Sequence, residues 1–236
     1  MNNMKQFTKQ LLVTLIVCGS SLAAAAQDIN GLIAKAKQKI EKVNDYEAAA
    51  KMKTNVTFLK VPIATVKVYF KKPNMLKVKS EKGISFIPKG AVSINMNSIL
   101  GTKDYTVIDA GKDKVGNVAV RVARLLPNDD NSDVVLSTVY IDELTNLILK
   151  AKTTTKENGT YELEMSYGKY ASFGLPDKII FSFNTKDYKL PKGVTFDFDD
   201  GSTTTPADKN KAKKGRAEIT FSSYSINKGL PASVFL

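Results

Sequence analysis

Carboxylates are the side chains in this sequence best placed to do chemistry. They stand close together at Asp129-Asp130, Asp142-Glu143, Glu162 and Glu164, Asp197, and Asp199-Asp200. A pair of carboxyl groups facing each other across a cleft can act as general acid and base, but such a pair is set by the fold and not by local spacing. Glu162 and Glu164 alternate with Tyr161, Leu163 and Met165, which puts them on the wet face of a strand. Asp129-Asp130 reads as a turn. Asp197, Asp199 and Asp200 could hold a calcium ion, yet they lack the ligand-rich loop spacing of such sites. The chain has no histidine, and its one cysteine is Cys18. That removes Ser-His-Asp and Cys-His catalysis and the usual zinc sites. Phosphate-loop and dinucleotide glycine patterns are absent. The expectation is a protein that is not an enzyme and uses no cofactor and no metal.

One cation stands out instead. Val66, Val68 and Phe70 alternate with Lys67, Tyr69 and Lys71, and the same alternation puts Lys72 on the apolar side, just before Pro73. A lysine there can lay its stem along the oily surface and hold its ammonium at the rim. The other reading is that the strand stops at Lys71 and Lys72 is a solvated edge charge.

The elements that position these residues follow from periodicity. Residues 1–26 read as a secretory signal peptide: Lys5 and Lys9, the short apolar run Leu11 to Cys18, then Ala23 to Ala26 as the cleavage site. A lipoprotein signal ending at Cys18 is the alternative, with bulky Val17 against it. Removing Lys5 and Lys9 takes the formal net charge from +12 to +10, because residues 1–26 hold no acids. Export places the protein in the periplasm and argues against nucleic acid as the partner of that charge. An anionic membrane or lipopolysaccharide surface fits better, and plain solubility fits as well. Residues 27–236 read as a single domain. An amphipathic helix spans 29–43, with Ile29, Leu32, Ile33, Ala36, Ile40 and Val43 on one face. From Tyr46 the period becomes two, and about ten strands follow: 46–59, 63–72, 75–81, 105–109, 117–126, 134–142, 146–155, 160–168, 178–185, 194–199 and 216–224. Turn chemistry separates them, including Gly111-Lys112-Asp113 and Glu157-Asn158-Gly159. The fold class is α+β: a meander forming one large, strongly curved antiparallel sheet with an N-terminal helix. Residues 90–103 are either a short helix or an apolar loop, and 199–215 read as a flexible polar loop.

The apolar faces carry the functional signal. Val66, Val68 and Phe70 share a side, as do Leu76 and Val78; Val118, Val120 and Val122; Tyr161, Leu163 and Met165; Ile179, Phe181 and Phe183; Val194, Phe196 and Phe198; and Ile219 and Phe221. One short helix is too small to cover so much apolar sheet. Either loops and a second helix fill the hollow, or it stays a cavity for an apolar ligand.

Lys71-Lys72-Pro73-Asn74-Met75-Leu76 resembles the basic-basic-Pro-Asn-apolar-apolar segment of the bacterial LolA-type lipoprotein carriers. Lys189 to Val194 is similar to that family's late Pro-x-Gly-Val segment. Tyr140-Ile141-Asp142 through Lys150 is similar to its I-D-x-x-T-x-x-I hairpin, and Phe221 to Leu230 resembles the ending of its lipoprotein-sorting relatives. The resemblance implies an unclosed β-barrel with short lid helices over a hydrophobic cavity. It implies a periplasmic carrier, or chaperone, that shields acyl chains of lipoproteins or lipids and moves them between membranes. On that reading Val66, Val68, Phe70, Leu76, Val78, Val120, Leu163, Met165 and Phe181 line the cavity, and Lys72 serves as lid latch or head-group contact. The partners implied are an acylated lipoprotein or lipid, an inner-membrane exporter and an outer-membrane acceptor; a monomer is expected. A non-carrying envelope sensor or binding protein on the same scaffold is the alternative. Where the family has arginine this chain has Lys72, which lacks the planar hydrogen-bonding fork. Ile84 to Gly90 also departs from the family's Asp-Gly-Lys turn, and residues 199–215 with a further strand follow the Pro-x-Gly-Val match.

Overall fold

The computed structural model describes residues 28–56, 59–60, 63–73, 75–82, 104–157, 159–184 and 214–235. The expected signal peptide, residues 90–103, the strand at 194–199, the Lys189–Val194 segment and residues 199–213 lie outside these.

The helix α1 (Ile29–Glu41) starts at Asp28, whose side chain accepts a hydrogen bond from the Asn30 amide at 3.1 Å. That caps one of the amides left free at a helix start. Its last turn ends in a bond from the Lys42 amide to the Lys39 carbonyl. Ile29, Leu32, Ile33, Ala36 and Ile40 are its buried face, as the 3.6-residue spacing requires.

The strands are β1 (Asp45–Val56), β2 (Leu59–Lys60), β3 (Ala64–Lys71), β4 (Met75–Lys82), β5 (Tyr105–Val115), β6 (Val118–Pro127), β7 (Val134–Asp142), β8 (Leu147–Thr155), β9 (Gly159–Ser166), β10 (Lys178–Asn184) and β11 (Lys214–Ile226). Among the described residues they form one antiparallel sheet in the order β4-β3-β1-β11-β10-β9-β8-β7-β6-β5, with β2 paired to β1. β4 and β5 are its two free edges, so the barrel is not closed.

Two features differ from the sequence reading. The sheet is not a simple meander. β4 and β5 follow each other in the chain yet lie at opposite edges, because β1 is inserted between β3 and β11. Pairing the first long strand with the last joins the hairpin series β5–β10 to the β3–β4 hairpin. The second difference concerns β5, which runs on to Val115 through Gly111-Lys112-Asp113. Gly111, with φ of +86°, sits in a bulge opposite β6, and the reversal falls at Gly116-Asn117, where Gly116 has φ of +58°. Two glycines competed for the turn, and the bulge took the first.

Register makes one inner face continuous across the sheet. Leu76 stands opposite Phe70, Phe70 opposite Tyr46, Val68 opposite Ala48, and Ala50 opposite both Val66 and Phe221. Ala217 then faces Phe181, Phe181 faces Leu163, Leu163 faces Ala151, and Ala151 faces Val139. On β6 this face is carried by Ala123 and Leu125, not by the expected Val118-Val120-Val122 set. Ala123 pairs with Val139 and joins the core around the helix, whereas Val118 is 41% exposed. Val120 and Val122, on the other side of β6, are also buried at 1% and 6% exposure, so this strand buries residues of both alternations.

Candidate functional site

The inner face divides into two halves. One half is covered by α1. Its buried face packs with Ala123, Leu125, Val139, Ile141, Ile148, Ala151, Tyr161, Leu163, Met165, Phe181 and Phe183, with Tyr105 and Val107 of β5 at the side. The other half is made by β1, β3, β4 and β11. Ala48, Ala50, Met52, Ala64, Val66 and Val68 form its floor, and Leu76, Val78, Ile219, Phe221 and Tyr224 flank them with part of their surface accessible. Among the described residues no helix packs in this cluster.

The predicted cavity residues therefore fall in three places. Val66, Val68, Leu76 and Val78 belong to the half without a described helix, and Phe70 joins it at the end nearest Val43 and Leu175. Leu163, Met165 and Phe181 are buried in the same core cluster as the inner face of α1. Val120 is buried but belongs to neither half: by alternation it shares the side of Val122, opposite Ala123.

Aromatic rings close the Phe70 end. Tyr46 stacks on Phe70 and meets Tyr224 edge-on, both at 5.3 Å between centroids, while Tyr224 also stacks on Phe221 and meets Tyr170. The Tyr224 hydroxyl donates to the Pro176 carbonyl at 2.7 Å, and its amide donates to the Tyr170 hydroxyl. Burial pushes the phenols of Tyr46 and Tyr224 well above the ordinary tyrosine range.

Lys72 lies at the rim of this end, after β3 and before a cis Lys72–Pro73 bond. Its ammonium donates to the Glu41 carbonyl at 2.6 Å and to Asn44 Oδ1 at 3.3 Å, and its amide donates to the Asn44 carbonyl. It thus holds a carbonyl of the last turn of α1, where a positive charge is favoured by the helix dipole. Lys71 points to the other side and donates to the Leu230 carbonyl at 2.6 Å, tying down the segment after β11.

Two anchors at this end were missed in the sequence reading. Asn227, with φ of +55°, accepts from the Asn44 amide at 2.7 Å and donates to the Lys42 carbonyl at 2.8 Å. Asp45, largely buried, accepts from the amides of Lys228 and Gly229. The one signal in the sequence was Asn227-Lys228-Gly229, a pattern suited to left-handed backbone. Together with Lys72 these residues fasten the helix end, the start of β1 and the end of β11 to one another.

The candidate carboxylates are engaged elsewhere. Asp142 shapes the β7–β8 turn by accepting from the Leu144 amide and the Thr145 hydroxyl. Glu162 pairs with Lys150 at 2.9 Å, and Asp129 accepts from the Asn131 amide. Asp197, Asp199 and Asp200 lie outside the described residues. A further pair, Arg121 with Asp109, lies beside the helix-covered half, and the Arg121 guanidinium holds the Asp109 carboxyl below its usual range. Neither residue was among the sequence candidates.

No protein-family model matches the chain. No curated protein matches it. Solved structures do. A Vibrio parahaemolyticus domain described as an outer membrane lipoprotein-sorting protein aligns with a TM-score of 0.55 at 12% identity, over 86% of this chain and 94% of that one. A DUF1329 family protein from Desulfovibrio piger aligns with a TM-score of 0.52 at 13% identity, over 87% of this chain and 94% of that one. A LolA superfamily protein from Nitrosomonas europaea aligns at 10% identity with a TM-score of 0.47, over 85% and 97%. At such identities the first two likenesses show a shared fold, an open antiparallel sheet holding a helix against its inner face.

Proposed function

We propose that the protein is a periplasmic carrier that takes an acyl chain of a lipoprotein or lipid against the inner face of β1, β3, β4 and β11. The observation that carries this reading is the uneven cover of a continuous apolar face: α1 plugs one half, and the half around Val66 and Val68 has no described helix upon it. Val66, Val68 and Phe70 are 0%, 4% and 4% exposed, so on this reading an acyl chain reaches them only when the residues that now bury them move. Lys72 on the Glu41 carbonyl is the contact that such movement would break. The gain is large, since each methylene taken from water contributes about 0.8 kcal/mol.

The test is titration of the purified protein with a fluorescent fatty acid, with native mass spectrometry of the untreated protein for co-purified lipid. Uptake is expected in the parent protein, and its loss in Val68→Asp and in Val78→Asp. The second position is only partly buried at the flank, so the folded state is expected to survive a charge there, with circular dichroism as the check. Undiminished uptake by a folded Val78→Asp protein would remove this half of the face as the ligand surface.

A further inference from the structure

One end of the barrel presents apolar tips among lysines. The β7–β8 turn projects Leu144, which is 92% exposed. This is a braced turn, not a loose one. The Asp142 carboxylate accepts from the Leu144 amide at 2.9 Å and from the Thr145 hydroxyl at 2.6 Å, and the Asn146 amide donates to the Asp142 carbonyl at 2.8 Å. Lys39 of α1 reaches across to the Thr145 carbonyl at 2.5 Å. The structure thus spends several hydrogen bonds holding a leucine out in water. Arg121 stands opposite Ile141 near the end of β7, so the β5–β6 turn extends past the same end and carries Val118, 41% exposed, beside Lys112 and Lys114. The end of α1 adds Lys42, the segment after β9 adds Lys169, and the segment after β11 adds Lys228, all exposed. The acids described at this end are Glu41, Asp113, the half-buried Glu143 and Asp177, and Asp45 and Asp142, both already engaged by backbone amides.

We propose that this end docks on an anionic bilayer, with Leu144 entering the head-group region and the lysines meeting lipid phosphates. Leu144 and Val118 are separate tips with charge between them. A protein partner would need a contiguous apolar patch to bury. A bilayer surface needs only scattered apolar side chains set among cations, whose stems reach the interface while their charges meet the head groups. The chain's net charge of +12 supplies the long-range attraction. This proposal goes beyond the cargo reading and stands whether or not the inner face takes an acyl chain.

The chain has no tryptophan, so Leu144→Trp gives a single reporter at the tip. Full-length protein carrying that substitution would be mixed with vesicles of phosphatidylethanolamine and phosphatidylglycerol, and separately with vesicles of phosphatidylcholine alone. The expected result is a blue shift of the indole emission with the anionic vesicles that is reversed by salt, and none with the neutral ones. Leu144→Asp should weaken vesicle binding by about tenfold while fatty-acid uptake is unchanged. Because the readout is local to position 144, binding through another part of the chain does not imitate it. Emission that stays at its buffer value on anionic vesicles, or equal binding by Leu144→Asp, overturns the proposal. An acidic protein as the true partner would give that same unchanged emission.

Discussion

Lys72 shows how much one side chain can decide in this molecule. Lysine offers a single flexible point charge where arginine would offer a fork, and here that charge meets two acceptors, the Glu41 carbonyl and Asn44 Oδ1. Lys72→Leu keeps the apolar stem and removes the clamp. Amide exchange at the end of α1, from Ile40 to Val43, should accelerate by about tenfold, while amides in the centre of β9 are unaffected. Exchange unchanged at Ile40 to Val43 would show that Asn227 on the Lys42 carbonyl holds the helix end alone. The sequence left open whether the strand stops at Lys71, as it does, and the partner of Lys72 was not legible: a backbone carbonyl carries no side-chain signature, and Glu41 is 31 residues away.

At the scale of elements, α1 is a plug before it is a lid. Leu32 is fully buried between the helix and the sheet. Leu32→Ala should lower unfolding free energy in urea by about 3 kcal/mol through lost burial and the void left behind. A loss under about 1 kcal/mol would mean that the helix is loosely seated. The spacing of Ile29, Leu32, Ile33, Ala36 and Ile40 gave this helix directly, and most strand positions followed from period two. What the spacing could not give was the partner of β1. Local pattern says that a strand exists and which face is oily, but the pairing of Tyr46 with Ile226 joins residues from opposite ends of the chain. On β6 the alternation found one buried side and missed the other: Val120 and Val122 are buried, yet small Ala123 and Leu125 are the residues in the cluster with the helix.

For the molecule as a whole, stability rests on packing, since Cys18 is the only cysteine. Three of the nine tyrosines, Tyr46, Tyr167 and Tyr224, are held protonated by burial. Their pKa values are raised above the ordinary 10.0, so the folded state keeps protons that the unfolded chain releases. Their contribution is intact below about pH 10 and is lost as pH rises beyond it. Thermal unfolding midpoints should accordingly fall above that pH, and the phenolate absorbance of these three should emerge together with unfolding. Early, non-cooperative ionisation of all nine tyrosines would contradict the burial of the cluster.

The two free margins of the sheet, β4 and β5, bear on the size of what can be held. A sealed cylinder has a circumference fixed by its rungs, and admits a thicker guest only by tearing one ladder apart. A ribbon rolled into a scroll can slacken by untwisting, with every rung intact. Among the described residues the hydrogen bonds at Lys72, Asn227 and Lys39 fasten α1 to the sheet, and under the proposed function a bulky or branched guest would need those few bonds undone and no strand unzipped.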